Sequence, residues 1–273
     1  LKGELILDRL TSLSDGAAEA LSKCKGKLYL SGLESLSDSA AEALSNCKGD
    51  LSFYGLKSLS EGAAKALSKH DGRLNFGNLT SLSNSPGHVA LAKKLAYKNE
   101  CLFLGSLTHL SDAAAEALTK ALGKLKGDYL NLSGLESLSD AGAEALSKHK
   151  GDLDLRRLYS LSDAAAEALS KHEGELVVGS LRTLSDSPGH IALATKLASQ
   201  ETWFFPLDNL TSLSAGAAEA LSKRKGYISF YYMTSLSDGA AEALSKHKGK
   251  LGLGHLESLS DAGAEALSKH KGD

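Results

Sequence analysis

Residues 135–152 read LESLSDAGAEALSKHKGD, and residues 256–273 repeat the same eighteen letters. The four residues before each copy differ, NLSG at 131–134 and GLGH at 252–255. A stretch copied letter for letter beside one that varies points to a repeated scaffold with one variable surface. Sliding the 273-residue chain along itself extends the pair to eleven copies of one template, L-x-L-x-x-L-x-S-L-S-D-x-A-A-E-A-L-S-K-H-K-G-x. The first apolar positions are Leu5, Leu28, Leu51, Leu74, Leu102, Leu130, Leu153, Leu176, Phe205, Ile228 and Leu251, at steps of 23, 28 or 29 residues. Such periods mark a solenoid, in which each unit buries its apolar face against its neighbours. The expectation is a single solenoid of eleven repeats over residues 1–273.

Within a unit, the Leu28–Leu30 segment alternates apolar and variable residues, as a short strand with one buried face does. Leu33 and Leu36 carry the core around a bend. The Ser of L-S-D stands in all eleven copies and reads as a helix N-cap, usually followed by an Asp that suits the positive helix end. In the helix, Ala17, Ala20, Leu21 and Cys24 recur at spacings of three and four, a narrow inward stripe. Lys23 and Lys25 complement the negative helix end, and Gly26 is the expected C-terminal breaker. Three units are longer. Two contain SPGH, with Pro86 and Pro188 at the first helical position, and the third inserts KALGKL at residues 120–125, so all three helices are expected to be longer.

The L-x-L-x-x-L strand followed by a short helix resembles bacterial leucine-rich repeat proteins, in particular 23-residue variants whose helical half reads SLSD.AAEAL. The resemblance covers essentially the whole chain. It implies an α/β fold, a right-handed solenoid with a parallel β-sheet on the concave face and short α-helices on the convex face. The commonest members of that family carry an Asn three residues after the second strand Leu, bonded to the backbone of the bend. Here Leu10, Leu33 and Leu56 stand at that place, so the bend needs another source of hydrogen bonds, and the Ser column is the expected substitute.

Composition excludes several functions. The formal net charge is -2, which argues against nucleic acid or an anionic membrane as partner. No apolar run approaches the ~18 residues a membrane span needs. Three Cys make a disulfide framework improbable. No leader is visible, and neither end carries a polar cap, so the chain is expected to be a fragment of a longer one or to stack end to end; the lean in location is to the cell surface or secretion.

If Leu28 and Leu30 point inward, the residues between and after them project from the sheet, and these offsets vary in every copy. Tyr29, Tyr54, Phe103, Asp154, Arg156, Arg157, Tyr231 and Tyr232 are the candidate ligand-binding residues, because aromatic and Arg side chains dominate binding hot spots. Eleven strands about 4.8 Å apart would span roughly 50 Å, which suits a protein or an extended polymer better than a metabolite. Unconstrained drift of exposed residues is the alternative. The functional expectation is a non-enzymatic binding scaffold without a cofactor, with end-to-end self-assembly as the runner-up.

Other residues carry chemistry without completing a site. Cys24, Cys47, His70, His149, His172, His247 and His270 share one template column, read as packing positions because a 23-residue step does not resemble paired zinc spacing; a Cys24–Cys47 disulfide stays open. His88 and His190, in SPGH, read as capping residues. Trp203, Phe204 and Phe205 form a dense aromatic cluster. Ser, His and Asp recur as template residues, whereas an active site needs a singular constellation. No GxxxxGK[ST], HExxH or CxxC occurs.

Overall fold

The structure is a computed structural model describing residues 3–97, 101–122, 129–201 and 207–272. The Trp203–Phe205 cluster and residues 123–125 of the KALGKL insertion lie outside the described residues. The chain divides into two compact units, Leu1–Leu135 with His149–Asp152, and Glu136–Lys148 with Leu153–Asp273. Both repeat one coil of short strand, turn and helix, and the strand pairs among the described residues are parallel. The fold is an α/β, leucine-rich-repeat-like solenoid.

In the first unit the strands Leu5–Ile6, Leu28–Tyr29, Leu51–Ser52 and Leu74–Asn75 lie side by side, with Leu5 opposite Leu28, Leu28 opposite Leu51 and Leu51 opposite Leu74. The template's first Leu thus becomes a column. In the second unit Leu153 faces Leu176, and Ile228 faces Leu251, by the same offset. Two-residue strands supply few hydrogen bonds, so burial must hold them. Leu28, Leu30, Leu33, Leu51, Phe53 and Leu56 are accordingly buried in the first unit, and Leu153, Leu155, Leu158, Ile228, Phe230 and Met233 in the second.

The bend is satisfied chiefly by backbone, with side chains adding single bonds: Asp8 Oδ1 accepts the Ser31 N–H, and Asn209 Nδ2 donates to Gly179 O. The N–H of Leu33 donates to Leu30 O at 3.2 Å, and Leu56, Leu158 and Met233 close the same turn. Further round, coils pair again, Ser81–Leu82 with His109–Leu110 and Thr183–Leu184 with Ser212–Leu213. The missing Asn is therefore replaced by turns and a second set of ladders, not by the Ser column.

The Ser column acts at the helices. Ser14, Ser37, Ser60, Ser139, Ser162, Ser214, Ser237 and Ser260 each accept the N–H three residues on, as N-caps. Several caps also reach across to the preceding coil. Ser37 Oγ donates to Asp15 Oδ1 at 2.6 Å, and Ser60, Ser162 and Ser260 donate to Asp38, Asp140 and Asp238. Each such Asp sits between its own helix N-terminus and the next coil's cap, so a carboxylate placed for the helix dipole also ties two coils together. In the SPGH coils the cap moves two residues, to Ser85 and Ser187, ahead of Pro86 and Pro188. There the Asp163 carboxyl, held below the usual carboxylate range first by the Ser187 hydroxyl, accepts the Gly189 N–H at 2.6 Å.

Most helices run 7 or 8 residues, while Pro86–Ala96, Asp112–Leu122 and Pro188–Ser199 run 11, 11 and 12. Ala40, Ala41 and Leu44 are fully buried, as are Ala240, Ala241 and Leu244. The column of Gly26 is, apart from Gly226, not in the left-handed conformation that a glycine ending a helix usually takes. Helices end four or five residues before it, and among the described residues only Gly226, at φ 91°, has the left-handed conformation. The column is glycine because coils touch there. A Cβ on Gly49 would lie 2.0 Å from Gly26 O, and one on Gly249 2.1 Å from Gly226 O.

Gly49→Ala is expected to lower stability by about 1–3 kcal/mol by forcing two backbones apart. Gly16→Ala, in a helix with nothing within 4 Å of the new methyl, should raise it by about 0.5 kcal/mol. Ser162→Ala should cost about 1 kcal/mol through the lost cap. Urea midpoints compared with the parent chain check all three.

Candidate functional site

Strand side chains alternate, so when the Leu columns face inward the intervening residues face out. In the first unit Tyr54 and Phe103 are 51% and 60% exposed, and Tyr29 is half-buried. Tyr29, Ser52 and Asn75, from three adjacent strands, line a recess of about 180 Å³ together with Lys27, Asp50 and Arg73. Asp50 Oδ1 accepts the Arg73 N–H at 2.9 Å, and Glu4 meets both Lys27 and the Tyr29 hydroxyl. Tyr54 lies over Gly77, where an added methyl would come 2.3 Å from the ring. The next coil thus lacks a side chain where the ring needs room. Phe103 meets Tyr129 edge-on at 5.8 Å.

In the second unit Asp154 departs from expectation. It is fully buried rather than projecting, because Arg156 folds back over it; Arg156 Nε lies 3.0 Å from both carboxylate oxygens and Nη2 also donates to Oδ2. A carboxylate taken out of water needs a paired cation, and Arg156 supplies it. The Arg156 charge is therefore occupied, whereas Arg157 forms a solvent-exposed pair with Glu136 at 3.0 Å. Tyr231 and Tyr232, 48% and 52% exposed, pack edge-on at 5.1 Å, and His255 of the next coil lies 4.2 Å from Tyr231. These rings touch one another, which makes a solid apolar knob rather than a cage open to a cation.

The candidate residues thus fall into two groups, Tyr29, Tyr54 and Phe103 in one unit, and Asp154, Arg156, Arg157, Tyr231 and Tyr232 in the other. Sequence reasoning missed Lys27, Asp50 and Arg73, which precede their strands by one residue. Their signal was a charge alternating in sign at one template position.

The Cys and His columns pack against helix ends. His70, His149, His172 and His247 are buried. His70 Nδ1 lies 3.1 Å from Ser45 O and Nε2 2.9 Å from Gly49 O, and His247 meets Ser222 O and Gly226 O in the same way. Both acceptors belong to the preceding coil. A neutral imidazole donates through one nitrogen, so the tautomer decides which contact is the hydrogen bond. His88 and His190 are buried too. Nδ1 of each accepts from Ser83 or Ser185, and Nε2 faces Leu59 O or Leu161 O at 3.0 and 3.1 Å. Each ring adds a link through imidazole to the coil before it.

Cys24 and Cys47 are both free thiols. Among the described residues no group of three or more His, Cys, Asp and Glu side chains is placed to hold a metal ion. Burial first, and then Cys24, push the Cys47 thiol up to about 11. At pH 8 the native Cys47 should therefore resist iodoacetamide and react only after unfolding, since the thiolate is the nucleophile; mass spectrometry of native and urea-treated samples checks this.

No known protein family matches the chain, and no curated protein matches it in sequence. Among solved structures, Drosophila Toll in complex with Spatzle superposes with a TM-score of 0.48 at 17% identity, over 82% of this chain and 29% of that one. The chain thus spans less than a third of Toll's length. An internalin from Listeria monocytogenes superposes with a TM-score of 0.41 at 15% identity, over 94% of this chain and 80% of that one.

Proposed function

We propose that the chain is a non-enzymatic binding scaffold whose variable strand faces engage a protein or an extended polymer. The observation that carries this is the set of half-exposed aromatic rings, Tyr54 and Phe103 in one unit and Tyr231 and Tyr232 in the other, at positions that vary from coil to coil. Rings held by neighbouring rings or laid over a glycine lose little entropy on binding and present large contact area. The Tyr29 recess, with polar groups from three coils, supplies hydrogen-bonding partners beside the rings. Arg157 supplies a charge at the exposed surface. No helix among the described residues is long and apolar enough to cross a membrane.

The test is a binding screen of the purified chain against secreted proteins and cell-surface polysaccharides, repeated with Tyr54→Ala/Phe103→Ala and with Tyr231→Ala/Tyr232→Ala. Loss of a hot-spot pair should weaken a true partner about 30-fold. A partner that binds both double variants as tightly as the parent refutes the reading. Light scattering in which mass grows with concentration favours self-assembly instead. Arg156 makes a poor probe, because Arg156→Met strands the buried Asp154 and is expected to cost about 1–3 kcal/mol. Arg157→Met, at an exposed pair, should change stability by less than about 1 kcal/mol, as urea denaturation will show.

A further inference from the structure

A net charge near zero conceals local segregation. In the second unit the ends of helices Ala215–Leu221 and Asp238–Ser245 meet at a recess of about 570 Å³, lined by Glu219 and by Lys223, Arg224, Lys225, Lys246 and Lys248. Five cations against one carboxylate leave an excess of four. Two helix C-termini together offset about one unit of that charge. A substantial positive excess remains.

This coil also departs from the template in two ways that converge on the same turn. Arg224 stands where other 23-residue coils place His or Cys, and Gly226 is the left-handed glycine. Arg224 is 5% exposed, and its Nη1 donates to Gln200 O at 2.8 Å, which pins a cation at the floor of the recess. Lys246 holds Glu219 at 3.1 Å. Lys223, Lys225 and Lys248 are exposed and have no ion-pair partner among the described residues. The ring of His247 lies against Ser222 O and Gly226 O, covering carbonyls that would otherwise repel an anion.

We propose that this recess binds a small ligand carrying several phosphate groups. Its volume lies in the range of small-molecule sites, and ammonium groups are effective point-charge partners for phosphate. A single carboxylate would leave most of the positive charge unbalanced. The site is separate from the strand faces and stands or falls independently of them.

Titration calorimetry with inorganic tripolyphosphate tests the proposal, using the parent chain, the triple variant Lys223→Gln/Lys225→Gln/Lys248→Gln, and a control Lys23→Gln/Lys25→Gln at the corresponding helix end of the first unit. The expected result is one bound tripolyphosphate per chain, weakened about tenfold or more in the triple variant and by added salt, and unchanged in the control. Orthophosphate should bind at least about tenfold more weakly. Absence of binding by the parent, undiminished binding by a triple variant that keeps the parent's urea midpoint, equal loss in the control, or orthophosphate binding as tightly as tripolyphosphate would each overturn it.

Discussion

The structure depends on one constraint: a coil of 23 residues cannot bury its own leucines, so each must lie in register on the next. Two-residue strands hold too few hydrogen bonds to impose that register. It is imposed instead by Leu columns such as Leu5, Leu28, Leu51 and Leu74, and by glycines that let adjacent backbones touch. A slip of one residue would turn every buried Leu outward and bring a side chain against the neighbouring carbonyl. Packing and backbone contact therefore select the same alignment.

That alignment explains how the polar parts of the template do two jobs. The Ser before each helix caps its own N-terminus, and in several coils its hydroxyl also grips the Asp of the coil before. In the SPGH coils a further link passes through His88 and His190, whose buried rings connect a serine to a carbonyl of the preceding coil. At the other helix end, His70 and His247 reach back in the same direction. His70, His88, His190 and His247 thus act as joints between coils. What distinguishes one coil from another is left to the strand faces and to turns that break the template, such as Lys223–Tyr227.

Much of this was legible in the letters. Strand positions, cap serines, the longer SPGH helices and the inward Ala and Leu stripe all follow from periodicity, because each depends on residues close in the chain. The errors share a cause. Gly26 was read as a helix breaker because a glycine after a helix usually serves its own helix; its real constraint is the backbone of the coil before. Asp154 was read as outward because a strand alternates, yet Arg156, two residues on, bends back over it. The Ser column was assigned to the bend, where backbone turns, pairing between coils and other side chains supply the bonds.

Sequence alone determined the coil: its length, its order of strand, bend and helix, and which of its residues vary. A repeated template makes those choices locally, and eleven copies of it leave little ambiguity. Only the tertiary structure decided what lies between coils: which hydroxyl meets which carboxylate, which tyrosine lies over which glycine, and where lysines from the turns after two helices gather around one recess. Those contacts join residues 21 to 30 positions apart, and their partners are set by how one coil is laid on the next, which no single coil contains.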